Sequence, residues 1–214
     1  MWSQRTRADR GSAAGILGMG ALVLFLLGTL AVIVAFALSV TVNGHSMEPT
    51  LHTGDRLFVQ LWAKHDIKRF DAVEATFQIN DTATENVVKR VIGMPGDTVQ
   101  VQIQDGKPVV TVIPKGSTQK YVVDNPTWDT TATAKLDPCC AQDGSSDSLD
   151  GGNPVVVPAG SYWLLGDNWG GSSDSRTYGF VKDSAIIGRM WLRLAPLSKF
   201  GVLKTSARLV PTSQ

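Results

Sequence analysis

Three short segments carry residues able to do bond-making chemistry. Ser46 sits in Gly44-His45-Ser46-Met47-Glu48-Pro49-Thr50-Leu51. A serine hydroxyl becomes a nucleophile only when a neighbouring base takes its proton. The histidines are His45, His52 and His65. No GxSxG elbow accompanies them, and His45 adjoins the serine, so along an extended chain its side chain points to the opposite face. Lys89 offers a different base. It lies in Val87-Val88-Lys89-Arg90-Val91-Ile92, where strand alternation sets Val87, Lys89 and Val91 on one face and Val88, Arg90 and Ile92 on the other. Desolvation disfavours the ammonium form and can lower a buried lysine by roughly 3–5 units from about 10.4. The neutral amine that results can act as a general base. The third segment is Gly166-Asp167-Asn168-Trp169-Gly170-Gly171-Ser172-Ser173-Asp174-Ser175-Arg176. It gathers hydroxyls and a carboxylate beside an arginine, groups suited to orienting an amine and pinning loops. Each segment alone has a plainer reading: a turn hydroxyl before Pro49, an edge-strand lysine with its head in water, and an exposed glycine-rich turn.

These residues need elements to hold them. The 214-residue chain is long enough for one membrane helix and one domain with a real core. Gly11 to Met47 contains no Asp, Glu, Lys or Arg, and 16–42 is almost wholly apolar. That exceeds both the ~20 residues a bilayer core requires and the roughly 7–15 apolar residues of a secretory signal, although Ala35-Phe36-Ala37 resembles a cleavage site. Arg5, Arg7 and Arg10 precede the span with no comparable cluster after it, which puts the N-terminus in the cytoplasm and the remainder outside. The net charge of +1 makes no electrostatic case for nucleic acid.

Beyond the span, apolar β-type runs dominate: 56–61, 72–77, 87–92, 98–103, 109–113, 155–157, 161–165 and 186–194. Turn residues separate them, and Asp105-Gly106 between two runs predicts a hairpin. The fold class expected is mainly β: one N-terminal transmembrane helix followed by an antiparallel β-rich catalytic domain. The expected divisions are a cytoplasmic 1–14, an anchor at 15–42, a domain at 43–198 and a frayed tail at 199–214. Residues 115–153, rich in Asp, Ser, Thr, Gly and Pro, read as an inserted loop or subdomain. Its acidic stretch at 143–152 lacks EF-hand spacing. Cys139 and Cys140 are adjacent; they either form a vicinal bridge or stay free, and their spacing with histidine does not suggest zinc. No metal and no cofactor are expected.

Together the segments resemble bacterial type I signal peptidases, the serine–lysine membrane proteases of the S26 family. The likeness covers the anchor, 44–51, 54–59, 69–73, 89–97, 166–176, Tyr178-Gly179-Phe180-Val181 and Gly188-Arg189. It implies Ser46 as nucleophile, Lys89 as general base and Ser172 as the hydroxyl holding the lysine amine. Met47 then shapes the site, and Arg90, Asp174 and Arg176 brace it, with Asp174 paired to Arg176 or Arg90. The backbone N–H of Ser46 is the implied oxyanion donor. Gly44 stands where some members carry a serine that also contacts the oxyanion, so no side chain donates there. Trp169-Gly170-Gly171 departs from the more polar residues common in this block and receives no role.

The resemblance further implies a membrane-anchored endopeptidase of the bacterial plasma membrane, a monomer in contact with lipid, that cleaves signal peptides from preproteins with small residues at −1 and −3. Alternatives are a relative specialised for a pilin or conjugation precursor and a non-catalytic anchored β-domain. The presence of Ser46, Lys89 and Ser172 together argues against a binding module, and the apolar span argues against a cytoplasmic self-cleaving serine–lysine repressor.

Overall fold

The computed structural model describes residues 8–128, 139–146 and 152–212. The chain divides into two compact units, 1–39 and 40–214. The first contains helix α1 (Ala8–Ala37), in which Gly15–Ala37 is long and apolar enough to cross a membrane, with a mean hydropathy of 2.6. The helix stops five residues before the expected Val42, and Ser39–Thr41 is extended instead. The β-branched Val40, Thr41 and Val42 favour the strand.

The rest is antiparallel β. In chain order the strands are β1 (Ser39–Thr41), β2 (Arg56–Gln60), β3 (Ala72–Gln78), β4 (Thr84–Gly93), β5 (Thr98–Gln104), β6 (Lys107–Ile113), β7 (Tyr121–Asp124), β8 (Val155–Val156), β9 (Ser161–Leu165), β10 (Val181–Lys182), β11 (Ile186–Ala195), β12 (Gly201–Val202) and β13 (Arg208–Pro211). A one-turn helix, α2 (Ser175–Tyr178), lies between β9 and β10. One sheet has the order β1-β2-β11-β3-β4-β9-β10, with β12 on β11; the other runs β13-β7-β6-β5-β8. All eight expected runs are strands. Asp105 and Gly106 turn the β5–β6 hairpin with φ of 51° and 73°, the left-handed pair that a two-residue hairpin demands.

Three apolar clusters sit around β4 and β9. Val91 and Leu164 join Val73, Ala75, Phe77 and Ile186 on one face. Ile92, Trp163 and Leu165 join Val99, Val101, Val110 and Val112 beneath the second sheet. Met47, Leu51, Leu57, Val59 and Met190 form the third. β9 is therefore buried on both faces, as its unbroken apolar run requires.

Two expectations need correction. The tail is not frayed throughout: β13 pairs with β7 in the register Arg208↔Asp124 to Pro211↔Tyr121, and Arg208 ion-pairs with Asp124. The expected insert likewise begins with a strand, β7, which also pairs with β6. Both strands are only four residues long, and they pair with each other across a long stretch of sequence, which local patterning does not reveal. Residues 129–138 and 147–151 of the insert lie outside the described residues. Cys139 and Cys140, both buried, are joined by a disulfide across a cis peptide bond.

Candidate active site

Ser46 is carried by the turn after β1 and fixed from two sides. On one side Met47, 1% exposed, is sunk into the third cluster, and its carbonyl accepts a hydrogen bond from the Leu51 N–H at 2.9 Å. On the other, the Asn168 backbone N–H donates to the Ser46 carbonyl at 3.0 Å, and Asn168 Nδ2 donates to the His45 carbonyl at 3.0 Å. A side chain held by packing and by two backbone anchors loses little freedom when it reacts, which is how a site is preorganised.

Strand β4 brings Lys89 to this turn. Its Nζ lies 2.7 Å from Ser46 Oγ and donates to it. Lys89 is 2% exposed. Burial lowers its pKa from 10.5 to about 8; the carboxylates of Asp174 and Glu85 oppose that shift and the Arg176 guanidinium adds to it. No carboxylate ion-pairs with this amine among the described residues, so desolvation prevails. His45, whose side chain is largely exposed, turns Nδ1 to Glu48 Oε1 at 2.8 Å.

The loop after β9 closes the site. Gly166 passes so near the serine turn that a Cβ there would lie 2.2 Å from Ser172 Oγ and 2.4 Å from the Ser46 carbonyl oxygen. Only glycine permits that approach. Ser172 is thus beside the pair, but its buried hydroxyl has no hydrogen-bond partner, so the expected bond from Ser172 to the Lys89 amine is not formed. Asp174 accepts from the Gly166 N–H at 3.0 Å, caps α2 through the Arg176 N–H, and grips Arg176 Nε and Nη2 at 2.9 Å each. The Arg176 guanidinium lies 4.3 Å from the centroid of the Trp169 ring and donates to the Trp169 carbonyl. Asp174 pairs with Arg176 and not with Arg90. Arg90 takes Asp167 instead, with Nε–Oδ1 at 2.7 Å and Nη2–Oδ2 at 2.5 Å, while Trp128 Nε1 donates to the same carboxylate.

Asp167, Asn168 and Trp169 thus position the loop, although sequence reasoning gave them no role. The available signal was the Asp-Asn pair one glycine beyond the apolar run 162–165, where a buried strand end needs polar partners for its neighbours.

A cleft of about 370 Å³ opens over the pair, walled in part by Val40, Val42, Met47, Glu74, Val88 and Lys89. Along it, β4 has a free edge. Residues 84–90 pair with β3 on one side, whereas β9 meets the other side only at Arg90, Val91 and Gly93. Among the described residues no group of three or more His, Cys, Asp or Glu is placed to hold a metal ion. The site offers a hydroxyl, an amine tuned towards neutrality and an unpaired strand edge beside both, which is a constellation suited to acyl transfer on an extended peptide.

A family model for signal peptidases, peptidase S26, matches residues 16–195. Signal peptidase I of Streptococcus pneumoniae serotype 4 is 34% identical over 182 residues, covering 76% of this chain and 84% of that protein. Signal peptidase I of Leptolyngbya laminosa is 32% identical over 169 residues, covering 76% of this chain and 70% of that protein. The crystal structure of a signal peptidase I from Enterococcus faecalis is 26% identical, with 58% of this chain and 96% of that one covered and a TM-score of 0.34. The chain belongs to the signal peptidase family, peptidase S26, and is a serine endopeptidase.

Proposed function

We propose that this protein removes N-terminal signal peptides from exported preproteins through a Ser46–Lys89 dyad. The observation that carries the reading is the 2.7 Å contact between Lys89 Nζ and Ser46 Oγ at a lysine buried enough to sit near pKa 8. Neutral Lys89 takes the Ser46 proton as Oγ attacks the scissile carbonyl. The tetrahedral oxyanion is met by the Ser46 N–H. Collapse breaks the peptide bond, and Lys89 returns the proton to the leaving amine, which is the new N-terminus of the mature protein. Water, deprotonated by the same amine, then hydrolyses the Ser46 ester and frees the signal peptide with a C-terminal carboxylate. Met47, Arg90, Asp174 and Arg176 support the site, and Ser172 steadies the amine during turnover. The substrate lies as an added strand on the free edge of β4, with small side chains at −1 and −3 facing the cleft.

Residues 15–37 anchor the enzyme in the bacterial plasma membrane, with Arg5, Arg7 and Arg10 kept on the cytoplasmic side. The catalytic unit works as a monomer on the outer face. Exposed Trp62 and Trp191, which meet Phe58 in tilted and edge-on contacts, suit the interfacial zone of a bilayer, where aromatic rings collect. The test is to incubate detergent-solubilised protein with a preprotein and sequence the product N-terminus. A single cut after the signal peptide, absent in Ser46→Ala, is expected; no Ser46-dependent cleavage would overturn the reading.

A further inference from the structure

Glu74 is the buried carboxyl on the cleft wall that the mechanism leaves unused; Glu85, on the same lining, is exposed. Strand alternation on β3 sends Val73, Ala75 and Phe77 into one core cluster and turns Glu74 to the opposite face, shared with Ala72 of the Met47 cluster. On that face it is paired across β4 with Val88 and across β11 with Gly188, which has no side chain. Glu74 is 7% exposed, and burial raises its carboxyl above the ordinary carboxylate range. Among the described residues no hydrogen bond or ion pair satisfies that carboxyl. Its oxygens are nonetheless not sealed, because the residue forms part of the cleft wall beside Met47, Val88 and Lys89.

A buried carboxyl without a partner is costly, and replacing it with an apolar residue would relieve the fold. Lys89, the adjacent buried cation, points to the other face of β4 with Val87 and Val91, and the arginines nearest to the site are engaged: Arg90 by Asp167 and Arg176 by Asp174. What remains to satisfy Glu74 is whatever enters the cleft. We propose that Glu74 is a specificity-determining residue that receives a hydrogen-bond-donating side chain, hydroxyl or amine, from a substrate residue near the scissile bond. The cleft then is not a uniformly apolar slot. Val40, Val42, Met47 and Val88 accept aliphatic surface, and Glu74 supplies a buried acceptor among them, apart from the exposed Glu85 and Asn86 on the same lining.

This rests on the proposed function, and the experiment separates the two. Peptides spanning a signal-peptide junction would carry, at each position from −4 to +2 in turn, Thr against its isostere Val, and Lys against the similarly shaped Met. The ratio of kcat/KM within each pair is read for wild type, Glu74→Leu and Glu74→Gln. At one position wild type is expected to favour the donor by about 10-fold, mainly through KM, as one discriminating hydrogen bond gives. Glu74→Leu should bring both ratios to one or below, and Glu74→Gln should keep the Thr preference while losing that for Lys. Melting curves guard against misfolding: Glu74→Leu should melt at or above wild type, and Glu74→Gln keeps the shape if it does not. A Lys preference without one for Thr assigns a charged donor, and the reverse a neutral one. Ratios unchanged between wild type and Glu74→Leu at every position would overturn the proposal. Loss of all Ser46-dependent cleavage in wild type would instead overturn the function beneath it.

Discussion

The two faces of β4 treat adjacent cations in opposite ways. Arg90 meets the carboxylate of Asp167 through two short bonds and donates to the Phe70 carbonyl. Lys89, one residue earlier and equally buried, has a hydroxyl for its hydrogen-bond partner and falls to about 8. Equal burial therefore gives different outcomes, set by the residue type and by what the opposite wall supplies. A planar guanidinium facing a carboxylate makes a rigid brace, whereas an ammonium facing a hydroxyl makes a group that readily gives up its proton. In the proposed mechanism the first face braces the site and the second reacts.

The sharpest break of this contrast is to remove the reactive face. Ser46→Ala and Lys89→Ala should each abolish turnover, a loss above about 10⁴-fold, because in the proposed mechanism the nucleophile and its base act as one unit. The double variant should be no slower than either single one. Preprotein cleavage followed by gel shift measures all three. Substantial turnover in Lys89→Ala would end the lysine-base mechanism.

The bracing face should fail differently. Arg90→Met strands Asp167, which has no exposed surface, and Asp174→Ala strands Arg176. Each should lower stability by roughly 3–5 kcal/mol, as when one partner of a buried pair is removed, and the thermal melt should fall accordingly. A melt equal to wild type would mean that these pairs brace nothing.

How much of this was legible beforehand follows from the same contrast. Lys89 stood out because a charge inside an apolar alternating run is anomalous, and the face it shares with Val87 and Val91 followed from period two alone. The partner of Arg90 was not legible. Asp167 and Asp174 are seven residues apart on one loop, and only the path of that loop past Gly166 decides which carboxylate meets which arginine. Eight strands were legible from apolar runs and turn residues, the two-residue β8 among them; β7 and β13 were not, because their local pattern does not mark the partner that each finds in the other. The unformed Ser172 bond escaped sequence reasoning because resemblance transfers a residue's role and not the rotamer of its side chain.

Lys89→Met sharpens the comparison by reversing its sign. At pH 7 wild type carries a buried ammonium whose folded pKa, about 8, lies below the unfolded 10.5. The folded state therefore binds fewer protons than the unfolded state between those values, and stability rises with pH across that window. The shift corresponds to about 3 kcal/mol. Lys89→Met should thus melt higher than wild type at pH 7, by up to that amount, and the gap should close near pH 10.5. In wild type, kcat/KM should climb with pH through about 8, since only the neutral amine accepts the Ser46 proton. Turnover independent of pH between 6 and 9 would place the titrating base elsewhere.

The smallest expected effect belongs to Ser172. Its hydroxyl is buried, adjoins the serine turn and is unpartnered. In the resting enzyme Lys89 donates to Ser46 Oγ, so the second hydroxyl is idle. In the proposed mechanism, once Ser46 has become an ester its oxygen is a poor acceptor and the amine needs another group to aim its lone pair at water. Ser172 is the neighbouring hydroxyl on the loop that could take that place after a change of rotamer. A positioned general base contributes about 10²–10⁴-fold, and loosening it should forfeit part of that, roughly 10–10²-fold in kcat with KM little changed. Stability should not fall, because removing an unsatisfied buried hydroxyl relieves a desolvated group. Single-turnover acylation and deacylation rates separate the cases: deacylation should slow more than acylation in Ser172→Ala. Equal slowing would assign Ser172 to the resting alignment of the dyad, and a lower melt with unchanged rates would make it a packing residue.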